Sequence, residues 1–304
     1  MGPEDYREFK ESKIQLFSRM KLKNIFPGEW ESIYTGEGIE FAGIRPLEPG
    51  DDLRNLDLHT LLQSGEEEII ERVVERQMRV FVWADFSGST QRFEEMLFPQ
   101  KPEIKDIAIG LLLFSASNAY SPVGLYAFNK EMRRFFPARS GERYCWEIVN
   151  WVIDQQYQGS VAAADIQSAV SFLIQRAFPQ SLVFFVSDFQ DQAFEGDFSA
   201  LLRPVAKKFD FVAVVIRDPL EKQASLRRPV TITVKDSEGD RSAEICLTPQ
   251  KLREIQESSA RHLLHLEQGF RAVGVGHVVL DSPSIEDCHG VLLGFFEARR
   301  RTRG

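Results

Sequence analysis

The 304-residue sequence has no hydrophobic run long enough to cross a bilayer. Its longest strongly apolar stretch is residues 107–114, whereas a membrane-spanning helix needs about 20 consecutive apolar residues. The first residues also lack the basic segment and the following apolar stretch of a secretory signal peptide. We therefore expect a protein without a transmembrane segment.

Cysteine is scarce, with Cys145, Cys246 and Cys288 widely spaced along the chain. Three cysteines at these distances form neither a disulfide framework nor a zinc-binding motif. Together with the missing signal peptide, this predicts a protein of the reducing cytoplasm.

An excess of basic residues is also missing, because the formal net charge is −8. Nucleic-acid binding depends on basic surface, so nucleic acid is not the expected main partner. The basic run at 299–303 is an exception that could contact nucleic acid or lipid. We favour a solvated helix end, where cations interact well with the helix dipole.

The common catalytic signatures are absent as well. The sequence contains no G-x-x-x-x-G-K-[ST] phosphate loop, no G-x-G-x-x-G dinucleotide fingerprint and no G-x-S-x-G nucleophile elbow. We therefore predict a protein that is not an enzyme.

What the sequence does contain is a globular composition, 43% hydrophobic and 27% charged. Apolar segments alternate with segments of helical periodicity, which predicts an α/β fold with a doubly wound, mostly parallel sheet. We predict strands at 79–85, 182–186, 211–216 and 275–280, an edge strand at 66–76, hairpins at 123–136 and 229–247, and helices at 1–30, 103–120, 142–155, 164–177, from 249 and at 285–300. We predict two domains, residues 1–75 with a helix and short extended pieces, and residues 76–304.

Three oxygen-bearing side chains follow the first apolar strand, at Asp85, Ser87 and Ser89. Alternate residues of an extended chain point the same way, so these groups can face one point. Ligands of open α/β sheets bind at such strand ends, and one carboxylate with two hydroxyls suits Mg²⁺. The alternative is a turn in which these side chains bond to the backbone.

The D-x-S-x-S motif, with a later apolar strand ending in Ser187-Asp188, resembles the von Willebrand factor type A domain. The resemblance implies a metal-ion-dependent adhesion site at the top of the sheet, with Mg²⁺ or Mn²⁺. The serines would contact the cation and the aspartates would support it directly or through water. The implied site residues are Asp85, Ser87, Ser89 and Asp188.

A longer series of motifs resembles a bacterial family known as domain of unknown function 58, in which a leading segment precedes a type A-like domain. The motifs are Gly38-Ile39-Glu40-Phe41, Arg45, Pro49-Gly50-Asp51-Asp52, Arg54, Asp57, Ser187-Asp188-Phe189, Asp218-Pro219-Leu220-Glu221 and Asp236-Ser237-Glu238-Gly239. The resemblance runs from about residue 36 to the final helix. It implies a protein partner such as a MoxR-type AAA+ ATPase or its client.

The sequence departs from these patterns at three places. Pro46 follows Arg45 where the family usually has an aromatic residue, and Leu58 stands where it often has tryptophan. Type A domains usually supply a threonine ligand where this chain has Ala164, and Ser160 is four residues away. Losing one neutral ligand weakens such a site without abolishing it, because Mg²⁺ readily retains water.

We therefore predict a non-enzymatic interaction module that docks a partner through a bound cation. One alternative is a metal-free scaffold with a degenerate site. The other is a metal-dependent hydrolase, which would need Asp188 or Asp165 as its general base.

Two further groups of residues are candidate sites. The charges at Arg45, Asp51, Asp52, Arg54 and Asp57 could form a recognition surface, but an ion-pair network that fixes the N-terminal segment to the sheet is favoured. His262 and His265 lie one helical turn apart, but without a third ligand nearby they are not expected to bind metal.

Overall fold

The computed structural model describes residues 3–26, 40–48, 51–73, 78–90, 100–130, 133–158, 163–179, 181–223, 228–235 and 242–303. The chain forms two compact units. The main unit comprises residues 1–28 and 79–304, and the small unit comprises residues 29–78.

The described ranges hold ten strands and nine α-helices. The strands are β1 (Glu40–Pro46), β2 (Glu68–Val73), β3 (Val80–Asp85), β4 (Val123–Phe128), β5 (Arg133–Arg139), β6 (Leu182–Ser187), β7 (Asp210–Ile216), β8 (Val230–Lys235), β9 (Ser242–Leu247) and β10 (Gly276–Leu280). The helices are α1 (Pro3–Lys21), α2 (Leu58–Ser64), α3 (Gln100–Asn118), α4 (Glu142–Gln158), α5 (Ile166–Arg176), α6 (Ser199–Lys208), α7 (Leu220–Gln223), α8 (Pro249–Ala272) and α9 (Ile285–Arg303).

The main unit is built on a six-stranded sheet with the order β10-β7-β6-β3-β4-β5. All neighbouring pairs are parallel except β4–β5, which is antiparallel. Every residue of β3, β4 and β6 is buried, as expected for strands covered by helices on both faces. The predicted fold class, a doubly wound and mostly parallel sheet, is confirmed.

Aromatic side chains fill both sides of this sheet. On one side Trp83 stacks on Phe185, with ring centroids 4.1 Å apart, within a core shared with α5, α6 and α8. On the other side Phe184 lies against Phe296 of α9, with centroids 5.8 Å apart. The alternation of strand residues thus gives each helix layer its own apolar surface.

The N-terminal helix α1 packs against α3 in the main unit. Lys13 of α1 pairs with Asp106 of α3 at 2.6 Å, and both side chains are buried. The predicted domains instead grouped this helix with the segment up to residue 75. Whether residues 1–75 and 76–304 fold as independent domains is not tested by these contacts, and the predicted boundary between them stays a prediction.

In the small unit, β1 pairs antiparallel with β2 in a two-stranded sheet. The strand predicted at 66–76 is therefore present, but it pairs with β1. A 3-10 turn at Leu53–Asn55 and helix α2 follow β1, where only extended pieces were predicted. Asp57 caps α2 by accepting hydrogen bonds from the backbone of His59 and Thr60.

The described contacts of the small-unit charges are local. Arg45 binds Asp51 through two hydrogen bonds of 2.6 and 2.7 Å, and Arg54 binds Asp52 at 2.5 Å. These pairs organise the turn after β1. The predicted attachment to the main sheet stays untested, and residues 49–50 lie outside the described part of the chain.

The C-terminal part follows the predicted order. Strands β8 and β9 form an antiparallel hairpin, while its turn at 236–241 lies outside the described residues. Thr248 caps α8 through a 3.2 Å bond to the backbone of Lys251, with Pro249 in the first turn. Within the described ranges, no helix has both the length and the apolar composition that crossing a bilayer requires.

Candidate functional site

The candidate site lies where β3 and β6 end. These strands are parallel neighbours in register, with Ala84 opposite Val186. Asp85 is the last residue of β3, and Asp188 follows β6 directly. The sheet therefore brings two carboxylates, distant in sequence, to the same edge.

Asp85 is held by donors from both strand ends. Its Oδ1 accepts a hydrogen bond from the backbone N–H of Ser87, and its Oδ2 accepts one from the hydroxyl of Ser187, both at 2.8 Å. Only 2% of Asp85 is exposed. Burial, reinforced by the charge of Asp188, raises the pKa of Asp85 to about 6.

The two predicted serine ligands meet on the turn that follows. The hydroxyl oxygens of Ser87 and Ser89 are 3.2 Å apart. The Thr90 hydroxyl fixes this turn, since it lies 2.8 Å from the carbonyl oxygen of Asp85 and 3.0 Å from that of Ser87. Ser87 is buried, whereas Ser89 is partly exposed, so Ser89 is the more accessible of the two hydroxyls.

Asp188 occupies a strained turn. Its Oδ1 accepts a 3.3 Å bond from the backbone of Gln190, and the next residue, Phe189, has a positive φ of 55°. A bulky residue in this left-handed region is uncommon and is typical of functional turns. His262 of α8 contacts this turn, with Nε2 3.0 Å from the carbonyl oxygen of Phe189.

Two lysines of α3 approach the carboxylates from one helix face. Lys101 Nζ lies 3.2 Å from Asp188 Oδ2 and 3.0 Å from Glu221 Oε1. Burial alone would lower the pKa of Lys101, but the charges of Asp188 and Glu221 outweigh burial and raise this pKa above its usual range. Asp188 therefore already has a cationic partner within the protein.

The second lysine, Lys105, is completely buried. Its ammonium group lies 3.3 Å from the carbonyl oxygen of Asp85, 3.2 Å from Thr90 Oγ1 and 4.1 Å from the centre of the Phe86 ring. Burial lowers the pKa of Lys105 to about 8, although the charges of Asp106, Asp85 and Asp188 act in the opposite direction. Lys105 thus supports the turn at Asp85 from inside the protein.

This set of donors fits a hard cation in part. Ligands on neighbouring vertices of an octahedral Mg²⁺ site at about 2.1 Å lie roughly 3.0 Å apart, close to the separation of the Ser87 and Ser89 hydroxyls. A carboxylate oxygen has two lone pairs, so it can accept a hydrogen bond and contact a cation at the same time. Ala164 contributes no oxygen and packs against the core. No cluster of three or more His, Cys, Asp or Glu side chains suited to metal occurs in the described part of the chain.

The other predicted candidates have different roles. Asp165 caps α5 by accepting a 3.1 Å bond from the backbone of Ser168, and Ser160 lies outside the described residues. His262 contacts Phe189, while the ring of His265 packs edge-on against Phe198.

Sequence reasoning missed three supporting residues, Thr90, Lys101 and Lys105, and it quoted Ser187 as part of a motif without giving it a role. The spacing of the lysines was an available signal, since residues four apart share a helix face. The backbone-bonded turn weighed as the alternative also describes part of the site, because the backbone of Ser87 binds Asp85.

These observations define an α/β protein whose sheet presents paired carboxylates and hydroxyls at one edge. The chain belongs to the family described as protein of unknown function DUF58, whose model matches residues 43–264. The predicted family membership is confirmed. The match is shorter than the predicted range, since it begins at residue 43 and ends within α8.

The similar sequences and structures do not assign a function to this protein. Uncharacterised proteins from Mycobacterium bovis and Mycobacterium tuberculosis are 19% identical over 288 residues, covering 95% of this chain and 88% of each relative. The hypothetical protein BatB from Bacteroides thetaiotaomicron is 11% identical with a TM-score of 0.43, covering 74% of this chain and 99% of BatB. Proximal thread matrix protein 1 from the mussel byssus, in a structure described as having a zinc-occupied MIDAS motif, is 14% identical with a TM-score of 0.37, covering 73% of this chain and 48% of that protein. Likenesses of this size say nothing about binding.

Proposed function

We propose that this protein is a non-enzymatic interaction module of the type A-like kind, which docks a protein partner at the carboxyl end of its sheet through Mg²⁺ or Mn²⁺. Ser87 and Ser89 would hold the ion, supported by Asp85 and Asp188. The observation that carries this proposal is the 3.2 Å approach of the two hydroxyls beside a buried carboxylate.

The electrostatics of the edge support a cation. Burial and, after it, the charge of Asp188 raise the pKa of Asp85, so a positive charge beside the two carboxylates would relieve their repulsion. Ser89, as the partly exposed member of the set, marks the side from which a partner would approach. A carboxylate of that partner would complete the coordination of the ion.

The proposed partner is a MoxR-type AAA+ ATPase or one of its clients, and the proposed location is the cytoplasm. The proposed partner rests on the family resemblance, and the proposed location rests on the three widely spaced cysteines. Because the protein has a net charge of −8, an acidic side chain of the partner would need the local positive charge that a bound cation provides.

A hydrolase is less well supported by the same contacts. Asp165, one of the two candidate bases, is engaged as a helix cap. The other, Asp188, is paired with Lys101.

A metal-free docking module is the second candidate function. It is favoured by one specific contact, the ammonium group of Lys101 on Asp188, together with the missing oxygen at Ala164. In such a protein the edge of the sheet would be a polar surface neutralised by lysine, and partner binding would not respond to chelators.

The test compares Ser87→Ala with Ser171→Ala, a control on the exposed side of α5. Isothermal titration with Mn²⁺ and capture of a purified MoxR-type ATPase would be measured with Mg²⁺ and with EDTA. We expect Ser87→Ala to lose ion binding and capture together, while Ser171→Ala keeps both. Capture that persists in EDTA and in Ser87→Ala would establish the metal-free module instead.

A further inference from the structure

We propose that Lys101 is an internal counter-ion that competes with a divalent cation for Asp188, and so sets how tightly this site binds metal. The inference rests on the proposed function, since it concerns the same carboxylate. It identifies a residue that determines the ion affinity of the site without being a ligand.

The position of the ammonium group carries the inference. Lys101 Nζ is 3.2 Å from Asp188 Oδ2 and 3.0 Å from Glu221 Oε1, and its side chain is only 17% exposed. The attraction between a buried ammonium group and two carboxylates is strong, because water screens these charges little. Any ion that uses Asp188 must share this carboxylate with Lys101 or displace it.

Positive side chains already surround the carboxylates on this side of the site. Among the described residues, Lys101 contacts both Asp188 and Glu221, Arg217 lies 3.7 Å from Glu221, and Lys105 contacts the backbone carbonyl oxygen of Asp85. A divalent ion at Asp188 would add two positive charges next to the ammonium group of Lys101. Its affinity is therefore expected to be low while Lys101 stays in place.

Glu221 gives the lysine an alternative partner. Glu221 is also bound by the hydroxyl of Ser259 at 2.8 Å, which holds its carboxylate in position beside α8. If Lys101 leaves Asp188, it retains the contact with Glu221. Two arrangements follow, one with the ammonium on Asp188 and one with Asp188 available to a cation.

The test is the affinity for Mn²⁺ alone, measured by isothermal titration on the full chain. Lys101→Met keeps most of the side-chain volume and removes the charge, and we expect it to bind Mn²⁺ at least about tenfold more tightly than the unaltered protein. Mn²⁺ should also raise the melting temperature of Lys101→Met more than that of the unaltered protein, because the ion binds only the folded state.

The matched control is Lys13→Met, which removes another buried lysine with a carboxylate partner, between α1 and α3. It should lower the melting temperature without any gain in Mn²⁺ affinity. Adding Ser87→Ala to Lys101→Met should abolish the gain, which would place the ion at this site. If Lys101→Met does not fold, Lys101→Met with Glu221→Gln restores the charge balance and leaves all four proposed ion-binding residues intact.

The outcomes separate this inference from the proposed function. Equal Mn²⁺ affinity in the unaltered protein and in a folded Lys101 variant overturns the inference, and tight binding by both would leave metal-dependent docking standing. Binding by the variant with none by the unaltered protein supports the inference and overturns metal-dependent docking. Absence of binding in both overturns both.

Discussion

Replacing Ser187 with alanine tests the contact that joins the two strand ends of the candidate site. The Ser187 hydroxyl donates a 2.8 Å hydrogen bond to Asp85 Oδ2 and accepts a 3.0 Å bond from the backbone N–H of Phe189. All three residues are at most 2% exposed. Alanine leaves one carboxylate oxygen and one buried N–H without this partner.

The expected cost follows from the kinds of bond lost. Asp85 is mostly ionised at pH 7, because burial raises its pKa only to about 6, so the bond from Ser187 is charge-assisted. Such a bond contributes about 1.5–3 kcal/mol, and an orphaned buried N–H adds on the order of 1 kcal/mol or more. We expect Ser187→Ala to lower the free energy of unfolding by about 2–4 kcal/mol.

Ser181→Ala is the matched control, at the residue that precedes the same strand. Ser181 is equally buried, and its hydroxyl donates a single neutral bond of 2.7 Å to the carbonyl oxygen of Phe178. Its loss should cost about 0.5–1.5 kcal/mol. Urea denaturation of both variants at pH 7 in EDTA gives the comparison, and a Ser187→Ala cost no greater than the Ser181→Ala cost would refute the reasoning.

Three further outcomes are expected. Gly110→Ala should lower the free energy of unfolding by about 1–3 kcal/mol in urea denaturation, because the added methyl group would overlap side chains of α1; unchanged stability would contradict the packing of α1 on α3. Alkylation at pH 8 should modify the exposed Cys246 rapidly and Cys145 and Cys288 slowly, since burial raises the pKa of both thiols, that of Cys288 to about 12; mass spectrometry after timed quenching reports this, and rapid labelling of all three would be inconsistent with the fold. Thr248→Ala should cost about 1 kcal/mol by removing the cap of α8, measured by thermal unfolding; a cost near zero would show that the cap is dispensable.

The sheet was predictable because its strands are buried on both faces. A strand covered by two helix layers needs apolar residues without alternation, and β3 and β6 carry that pattern in a few residues each. The resemblance to the type A domain also implied that Asp85 and Asp188 belong to one site. The order of the strands across the sheet needed the structure.

The missed helices had weaker local signals. Helix α2 is seven residues long, and its only clear markers are the cap at Asp57 and the left-handed Gly65 after it. Helix α6 contains Pro204 and begins without a side-chain cap, so propensity argued against it. In both cases tertiary packing stabilises a helix that the local sequence alone does not specify.

The lysines at the site could not be assigned from sequence. The position of Lys101 and Lys105 on one helix face was readable, but the contacts with Asp188 and Asp85 depend on how α3 crosses the sheet. The sequence did predict that the hydroxyls of Ser87 and Ser89 lie near Asp85, because the spacing of the motif places them there. Long-range ion pairs of this kind emerge only from the tertiary arrangement.

The hydrogen bond between Asp85 and Ser187 spans 102 positions of the chain. A nascent chain that has produced β3 but not β6 therefore contains Asp85 but lacks Ser187, so this edge of the sheet cannot yet form. A partner that bound this edge would therefore bind only chains in which both strands have folded, and its binding would shift the folding equilibrium toward the folded state.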